Sequence, residues 1–347
     1  MLPLDVLELA QSELTDWRSG MSVLEVSHRG KDFIACAAAA EASMREVLGI
    51  PDNYKVLFLQ GGASGQFDAV PMNISSEGDS VDFFNTGQWS KKAIAGSKRQ
   101  GLAVNVIADE AAGNYTTIPA PGSYTTTPGA RYLHYTPNET IGGVEFNYIP
   151  ESEAPLVADA SSTILSRPLD VSRYGVIYAG TQKNMGPSGL VVVIVRDDLL
   201  GAARTNTPDV INWTEQAAAD SMLNTPPTFG IYMLGLVLDW VKAGGGLEAM
   251  GARNKAKAEM LYAAIDNSEF YSNPVAISAR SWMNIPFILA NPELDKAFLA
   301  GAEQAGLTNL AGHRSVGGMR ASIYNAMPIQ GVQALIDYMT DFAAKNG

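Results

Sequence analysis

Gly175-Val-Ile-Tyr-Ala-Gly-Thr-Gln-Lys183-Asn-Met-Gly-Pro-Ser-Gly189, followed by Leu190-Val-Val-Val-Ile-Val195, is the stretch whose reading decides the fold. Two apolar runs of strand length flank a short turn punctuated by Gly and Pro. The β-branched run after it predicts a strand buried on both faces. Between Arg173 and Arg196, Lys183 is the only Lys, Arg, Asp or Glu. An ammonium held where two buried strands meet loses hydration, which lowers its pKa and frees the neutral amine to attack a carbonyl. Taken alone, the segment better suits a lysine at a hairpin tip in water, the usual state of Lys.

Upstream, Pro155-Leu-Val-Ala-Asp159-Ala-Ser-Ser162 reads as a short apolar strand ending on a carboxylate. A lysine that binds pyridoxal phosphate needs an anion to keep the pyridine nitrogen protonated, so that the ring accepts electrons. Asp159 and Lys183 at neighbouring strand ends supply both groups at the carboxyl edge of an α/β sheet. The alternative for Asp159 is a cap on the next turn. Gly61-Gly-Ala-Ser64 joins a strand to a helix start, where backbone N–H groups and the helix dipole favour an anion. An ordinary tight turn fits the same residues. Neither a Walker lysine nor a GxGxxG pattern is present.

Four segments together resemble the phosphoserine aminotransferase family, which belongs to the class V, fold-type I aminotransferases. They are Asp159 to Pro168, Tyr178 to Pro187, Asn224-Thr-Pro-Pro-Thr-Phe229 and Gly312 to Ser322. The similarity runs from Leu2 to the C-terminus in the family's motif order, starting just after the Asn-Phe-Asn-x-Gly-Pro type of lead usual in that family. The resemblance implies pyridoxal 5'-phosphate as cofactor, with Lys183 and Asp159 as catalytic residues. It implies cofactor contacts from Ala63, Ser64, Trp89, Thr140, Asp159, Gln182 and Lys183. Asn224 and Thr225 match positions that reach over from the other subunit of a homodimer with shared sites. It also implies that Trp89 stacks on the ring and that Thr140 meets its phenolic oxygen. Read without it, Trp89 is a partly buried tryptophan ahead of a helix and Thr140 a turn residue.

The chain has three histidines, and two of them precede arginines, His28-Arg29 and His313-Arg314. Such pairs in a chain of net charge −12 suggest recognition of an anion, because guanidinium forks bind carboxylate and phosphate in bidentate fashion. By resemblance, Arg320 holds the substrate α-carboxylate, and His28, Arg29, His313 and Arg314 surround a distal phosphate. His134 has no matching role and reads as structural. The implied reaction moves the amino group of L-glutamate to 3-phosphohydroxypyruvate, giving O-phospho-L-serine and 2-oxoglutarate for serine biosynthesis. The family often serves pyridoxine biosynthesis as well.

The 347 residues suffice for a full core and two domains. The expected architecture is a large α/β domain, 1–245, whose mostly parallel sheet is covered by helices, and a smaller C-terminal α/β domain, 246–347. The break is placed at Gly244-Gly-Gly246. Strands are expected near 55–60, 81–84, 103–107, 132–135, 156–158, 176–179 and 190–195, alternating with helical segments. A first helix is expected to bury Leu7, Ala10, Leu14 and Trp17. The charge argues against a nucleic-acid partner, and no apolar run approaches the ~20 residues that span a bilayer. With no basic leader followed by an apolar core, the chain reads as cytoplasmic. The single cysteine, Cys36, excludes an internal disulfide and a CxxC metal site.

Three other readings are open. An alanine- or serine–glyoxylate aminotransferase would not need four cationic groups around a distal anion. A cysteine desulfurase needs a mobile catalytic cysteine, and Cys36 sits in an Ala-rich helix. A non-catalytic phosphate or cofactor binder would have no use for Lys183.

Overall fold

The computed structural model describes residues 2–314 and 316–347. In chain order its large part runs α1 (Leu4–Glu13), α2 (Lys31–Leu48), β1 (Tyr54–Gln60), α3 (Ala63–Ile74), β2 (Ser80–Asn85), α4 (Gln88–Arg99) and β3 (Ala103–Asp109). It continues with β4 (Leu133–Tyr135), β5 (Asn138–Glu139), β6 (Val144–Glu145), β7 (Leu156–Asp159), β8 (Val176–Gly180), β9 (Leu190–Arg196), α5 (Trp213–Ala218) and α6 (Thr228–Ala243). Beyond it lie α7 (Gly246–Asp266), β10 (Tyr271–Ser272), β11 (Asn284–Leu289), α8 (Asp295–Gln304), β12 (Met319–Ser322) and α9 (Ile329–Asn346).

Seven strands form the main sheet in the order β1-β9-β8-β7-β4-β2-β3. Only β9 runs against its neighbours, antiparallel to both β1 and β8. The period-two side-chain alternation puts Leu190, Val192 and Ile194 of β9 into the core under α2 and α6, and Val191, Val193 and Val195 into the core under α3 and α4. Both faces are therefore buried, which explains why the run is uniformly apolar from Leu190 to Val195.

Two expectations need correction. No α-helix separates β3 from β9; the strands β4, β7 and β8 are joined by turns and single 3-10 turns. The sheet's faces there are covered by helices from elsewhere in the chain, so sequence alternation and spatial layering come apart. The first helix buries Val6 and Ala10, whereas Leu7 and Leu14 are exposed. Its docking is chosen by the Tyr232, Met233 and Val237 face of α6, and Trp17, outside the helix, meets Tyr232 edge-on at 5.9 Å.

A three-stranded antiparallel sheet, β10-β11-β12, packs with α8, α9 and the second half of α7 around Phe287 and Phe298. The first half of α7 places Leu247 and Met250 in the main core. A single helix thus spans both units. The short β5–β6 hairpin is pinned between them: a Cβ at Gly143, whose φ is +70°, would lie 2.3 Å from Pro286 Cδ. That contact presses the Thr140 turn onto β11.

Candidate active site

Lys183 lies in the β8–β9 turn, immediately after the buried strand carrying Tyr178 and Ala179. Its Nζ donates to Thr140 Oγ1 at 2.6 Å and stands 5.4 Å from the Trp89 ring centroid. Burial pulls its pKa from 10.5 down to about 8, and the Arg320 charge acts in the same direction. Asp159 and Glu139 oppose that shift. The amine therefore gives up its proton much more readily than an exposed lysine does.

Asp159 closes β7 and pairs with Tyr178 of β8, one strand from the lysine. Ser161 donates to Asp159 Oδ1 twice, from its hydroxyl at 2.6 Å and its backbone N–H at 3.1 Å. The same hydroxyl accepts from Gly180 N–H at 3.1 Å, which ties the two strand ends together. Burial raises the Asp159 pKa, while Lys183 and the Ser161 bonds pull it back. Both recorded hydrogen bonds fall on Oδ1.

Trp89 is in the first turn of α4, inside the helix rather than ahead of it. Its backbone N–H donates to Glu139 Oε2 at 2.9 Å and Ser90 N–H to Glu139 Oε1 at 2.8 Å. The buried carboxylate so caps the helix and fixes the indole beside Lys183. Lys92 Nζ lies 4.2 Å from the ring centroid. The buried indole Nε1 has no partner among the described residues.

Arg320 on β12 donates to the Thr140 carbonyl at 3.3 Å, and its Nε is buried without a partner among the described residues. Arg320 is thereby tied to the lysine cluster, whose amine its charge also reaches. His28 is half-buried, its Nε2 without a partner among the described residues, and Arg29 is exposed; both precede α2. His313 and Arg314 are exposed in the turn before β12. Ala63 and Ser64 open α3 behind Gly61 and Gly62, where a Cβ on either glycine would meet nothing within 4 Å. Gln182 is exposed, next to Lys183. Thr225 accepts a hydrogen bond on its backbone oxygen from Gln60 at the end of β1, and Asn224 Oδ1 accepts from Gln216 at 3.5 Å.

The Aminotransferase class-V family matches residues 1–335. The phosphoserine aminotransferase of Azotobacter vinelandii is 56% identical over 100% of this chain and 96% of its own length. That of Hahella chejuensis is 57% identical over 99% of this chain and 96% of its own. The chain belongs to the phosphoserine aminotransferase family. Among solved structures, the phosphoserine aminotransferase of Bacillus circulans subsp. alkalophilus superposes with a TM-score of 0.98 at 46% identity, covering 100% of this chain and 97% of that one. A pyridoxal-phosphate-bound phosphoserine aminotransferase from Trichomonas vaginalis gives 0.94 at 41%, covering 98% and 97%.

The donor set suits the cofactor such enzymes use. The cluster offers a desolvated amine, a buried carboxylate with its second oxygen unbonded, and an aromatic face. Alongside these is a helix N-terminus opening onto empty space. The desulfurase alternative fares poorly, because burial pushes the Cys36 thiol up to about 11 on α2, away from the lysine. His134 is enclosed: burial drives its pKa down to about 3, its Nε2 bonds the Tyr178 hydroxyl at 2.8 Å, and its ring stacks on Phe83.

Sequence reasoning missed two site residues. Glu139 directly precedes Thr140, and a lone acid in an otherwise uncharged turn was its only signal. Tyr324 lies four residues beyond Arg320. Its phenol accepts from Asn284 Nδ2 at 3.1 Å. Nothing local marks it, because Asn284 is 40 positions away in the chain.

Proposed function

We infer that this chain catalyses amino transfer from L-glutamate to 3-phosphohydroxypyruvate with pyridoxal 5'-phosphate, yielding O-phospho-L-serine and 2-oxoglutarate. The observation that carries the reading is Lys183: an amine brought down to about 8 by burial, bonded to Thr140 and flanked by Trp89 and Asp159. When bound, the cofactor supplies an electron-accepting ring that acidifies the carbon bearing the amino group. Lys183 Nζ holds the cofactor covalently at rest and afterwards takes and returns a proton as general base and acid. Asp159 offers Oδ2 to the pyridine N–H and, as a buried anion, keeps that proton in place. Trp89 covers the ring and excludes water. Ala63 and Ser64 at the α3 N-terminus, with Gln182, bind the phosphate. Asn224 and Thr225 complete that phosphate site from a second subunit of a homodimer.

Arg320 takes the α-carboxylate that both substrates share, its partnerless Nε being available for it. His28, Arg29, His313 and Arg314 take the distal group, a carboxylate in glutamate and a phosphate dianion in the acceptor. The test is direct. Purified protein should be yellow, lose that colour on borohydride treatment, and carry the cofactor covalently on the peptide containing Lys183. Labelling of another lysine, or a colourless protein that takes up no cofactor, refutes the assignment.

A further inference from the structure

We propose that Asn284 is a positioning residue which, through Asn138, sets the Arg320 guanidinium at the distance from Lys183 that an α-amino acid spans. The two asparagines, both buried, form a dry joint between the large part of the chain and the small sheet. Hydrogen-bond direction assigns both amides. Ser162 Oγ donates to the Asn138 carbonyl at 2.9 Å and so accepts from Asn138 Nδ2, also at 2.9 Å. Asn138 Nδ2 donates as well to Asn284 Oδ1 at 2.9 Å. Asn284 Nδ2 in turn donates to Ser322 Oγ at 3.0 Å and to the Tyr324 phenol at 3.1 Å.

Each end of this joint lies beside a group the reaction needs. Ser162 follows Ser161, which holds Asp159 Oδ1. Ser322 is two residues from Arg320 on β12 and shares its face, with Asn284 opposite Ser322 and Pro286 opposite Arg320 across β11. Asn138 leads through Glu139 to Thr140, whose hydroxyl accepts from Lys183 Nζ and whose carbonyl accepts from Arg320.

The returning strand of the hairpin has attachments of its own. Ser281 N–H donates to the Gly143 carbonyl at 3.0 Å, and Trp282 N–H to Glu145 Oε2 at 2.8 Å. Both act on β6 and the turn before it, whereas the Asn138–Asn284 bond acts on β5, directly ahead of Thr140. Removing the Asn284 amide releases β5 while β6 stays held, and the 3.3 Å contact from Arg320 to the Thr140 carbonyl is then free to lengthen. In an α-amino acid the amino and carboxylate groups share one carbon. The group that binds the carboxylate must therefore stand at one fixed distance from the point where the amine reacts. A guanidinium that drifts from that place still attracts the carboxylate but loses the bidentate geometry.

The proposal rests on the reading of Lys183 and Arg320 given above, so Arg320→Ala is measured alongside. Glutarate carries both carboxylates of glutamate and no amino group, so its affinity for the cofactor-loaded enzyme, measured by calorimetry, reports binding without turnover. Asn284→Ala should weaken glutarate about tenfold and raise the half-saturating L-glutamate and O-phospho-L-serine in single-turnover half-reactions by a similar factor. Hydroxylamine has no carboxylate, and its rate of reaction with the bound cofactor, followed in the visible spectrum, should stay at the wild-type value. Asn138→Ala removes the same bond from the other partner and carries the test should Asn284→Ala not fold. The double variant should be no worse than the more affected single one. Unmoved glutarate affinity in the asparagine variants, with a loss in Arg320→Ala, overturns the proposal alone. An equal fall in the hydroxylamine rate also overturns it, because the lesion would then be general damage to the site. Unmoved affinity in Arg320→Ala removes the reading of Arg320 and the proposal with it.

Discussion

Two carboxylates hold the proton on Lys183, and burial, aided by the Arg320 guanidinium, outweighs them. A lysine whose folded pKa is about 8 against an ordinary 10.5 releases its proton earlier in the folded chain than in the unfolded one. Between about pH 8 and pH 10 the unfolded chain binds more protons, so the cofactor-free protein should become more stable as pH rises through that window. Lys257, also brought down to about 8 by burial, adds to the same slope. Thermal unfolding of cofactor-free Lys183→Met should show a flatter rise than wild type, and an unchanged slope would mean Lys183 titrates normally. Glu139 pulls the other way. Backbone N–H groups on both its oxygens favour the carboxylate, although burial raises its pKa. In Glu139→Gln the side-chain NH2 confronts one of those N–H groups, leaving a buried donor unpaired at about 1–3 kcal/mol. Stability should fall accordingly, and in cofactor-free protein the pH midpoint for acetylation of Lys183 by acetic anhydride should drop as an opposing negative charge disappears. A midpoint that stays put would show that Glu139 is already protonated.

At the level of elements, the site depends on how closely α3 and α4 pack, since one carries the proposed phosphate cradle and the other Trp89. A Cβ at Gly96 of α4 would lie 2.5 Å from the Phe67 carbonyl oxygen of α3. Alanine improves intrinsic helix propensity by about 1 kcal/mol over glycine. Overpacking commonly costs about 1–3 kcal/mol, and a backbone oxygen within a helix yields less than a side chain does. Gly96→Ala should therefore lower the urea midpoint with little change in slope; a raised midpoint would mean the helices separate at little cost. The same contrast between local and tertiary terms explains what could be read in advance. β1 and β9 were legible to within a residue or so, because buried apolar runs of strand length declare themselves locally. The two- and three-residue strands β5, β6 and β10 carry too few residues for any periodicity. The exposed Leu7 and Leu14 stripe of α1 is as regular as a buried one, and only α6 decides between the two faces. Lys183 and Asp159 were legible because each is a lone charge at the end of an apolar run. Asn284 and Tyr324 were not, because their hydrogen-bond partners are distant in the chain, Asn138 for one and Asn284 for the other.

For the molecule as a whole, one chain leaves apolar surface uncovered along its N-terminal segment. Leu4 is 67% exposed, Leu24 58% and Ile34 48%. Exposed apolar side chains, where they gather on one surface, mark association surfaces. The segment packs on α6, whose first residue, Thr228, follows closely on Asn224 and Thr225, so the surface that would meet a second copy is joined to the loop proposed to serve that copy's site. A symmetric pair that exchanges these loops has a distinctive behaviour under mixing. Lys183→Ala removes the nucleophile from its own site, whereas Asn224→Ala/Thr225→Ala damages the partner's. In a mixed dimer both lesions then fall on one site and the other is intact. Random exchange of equal amounts gives half mixed dimers, so activity should recover from near zero to about a quarter of wild type. Were Asn224 and Thr225 to act within their own chain, each site of the mixed dimer would keep one lesion, and activity would stay at the level of the parents. Native mass spectrometry of the mixture establishes that exchange has occurred. Recovery with exchange places the two residues in the opposite site, and exchange without recovery removes them from it.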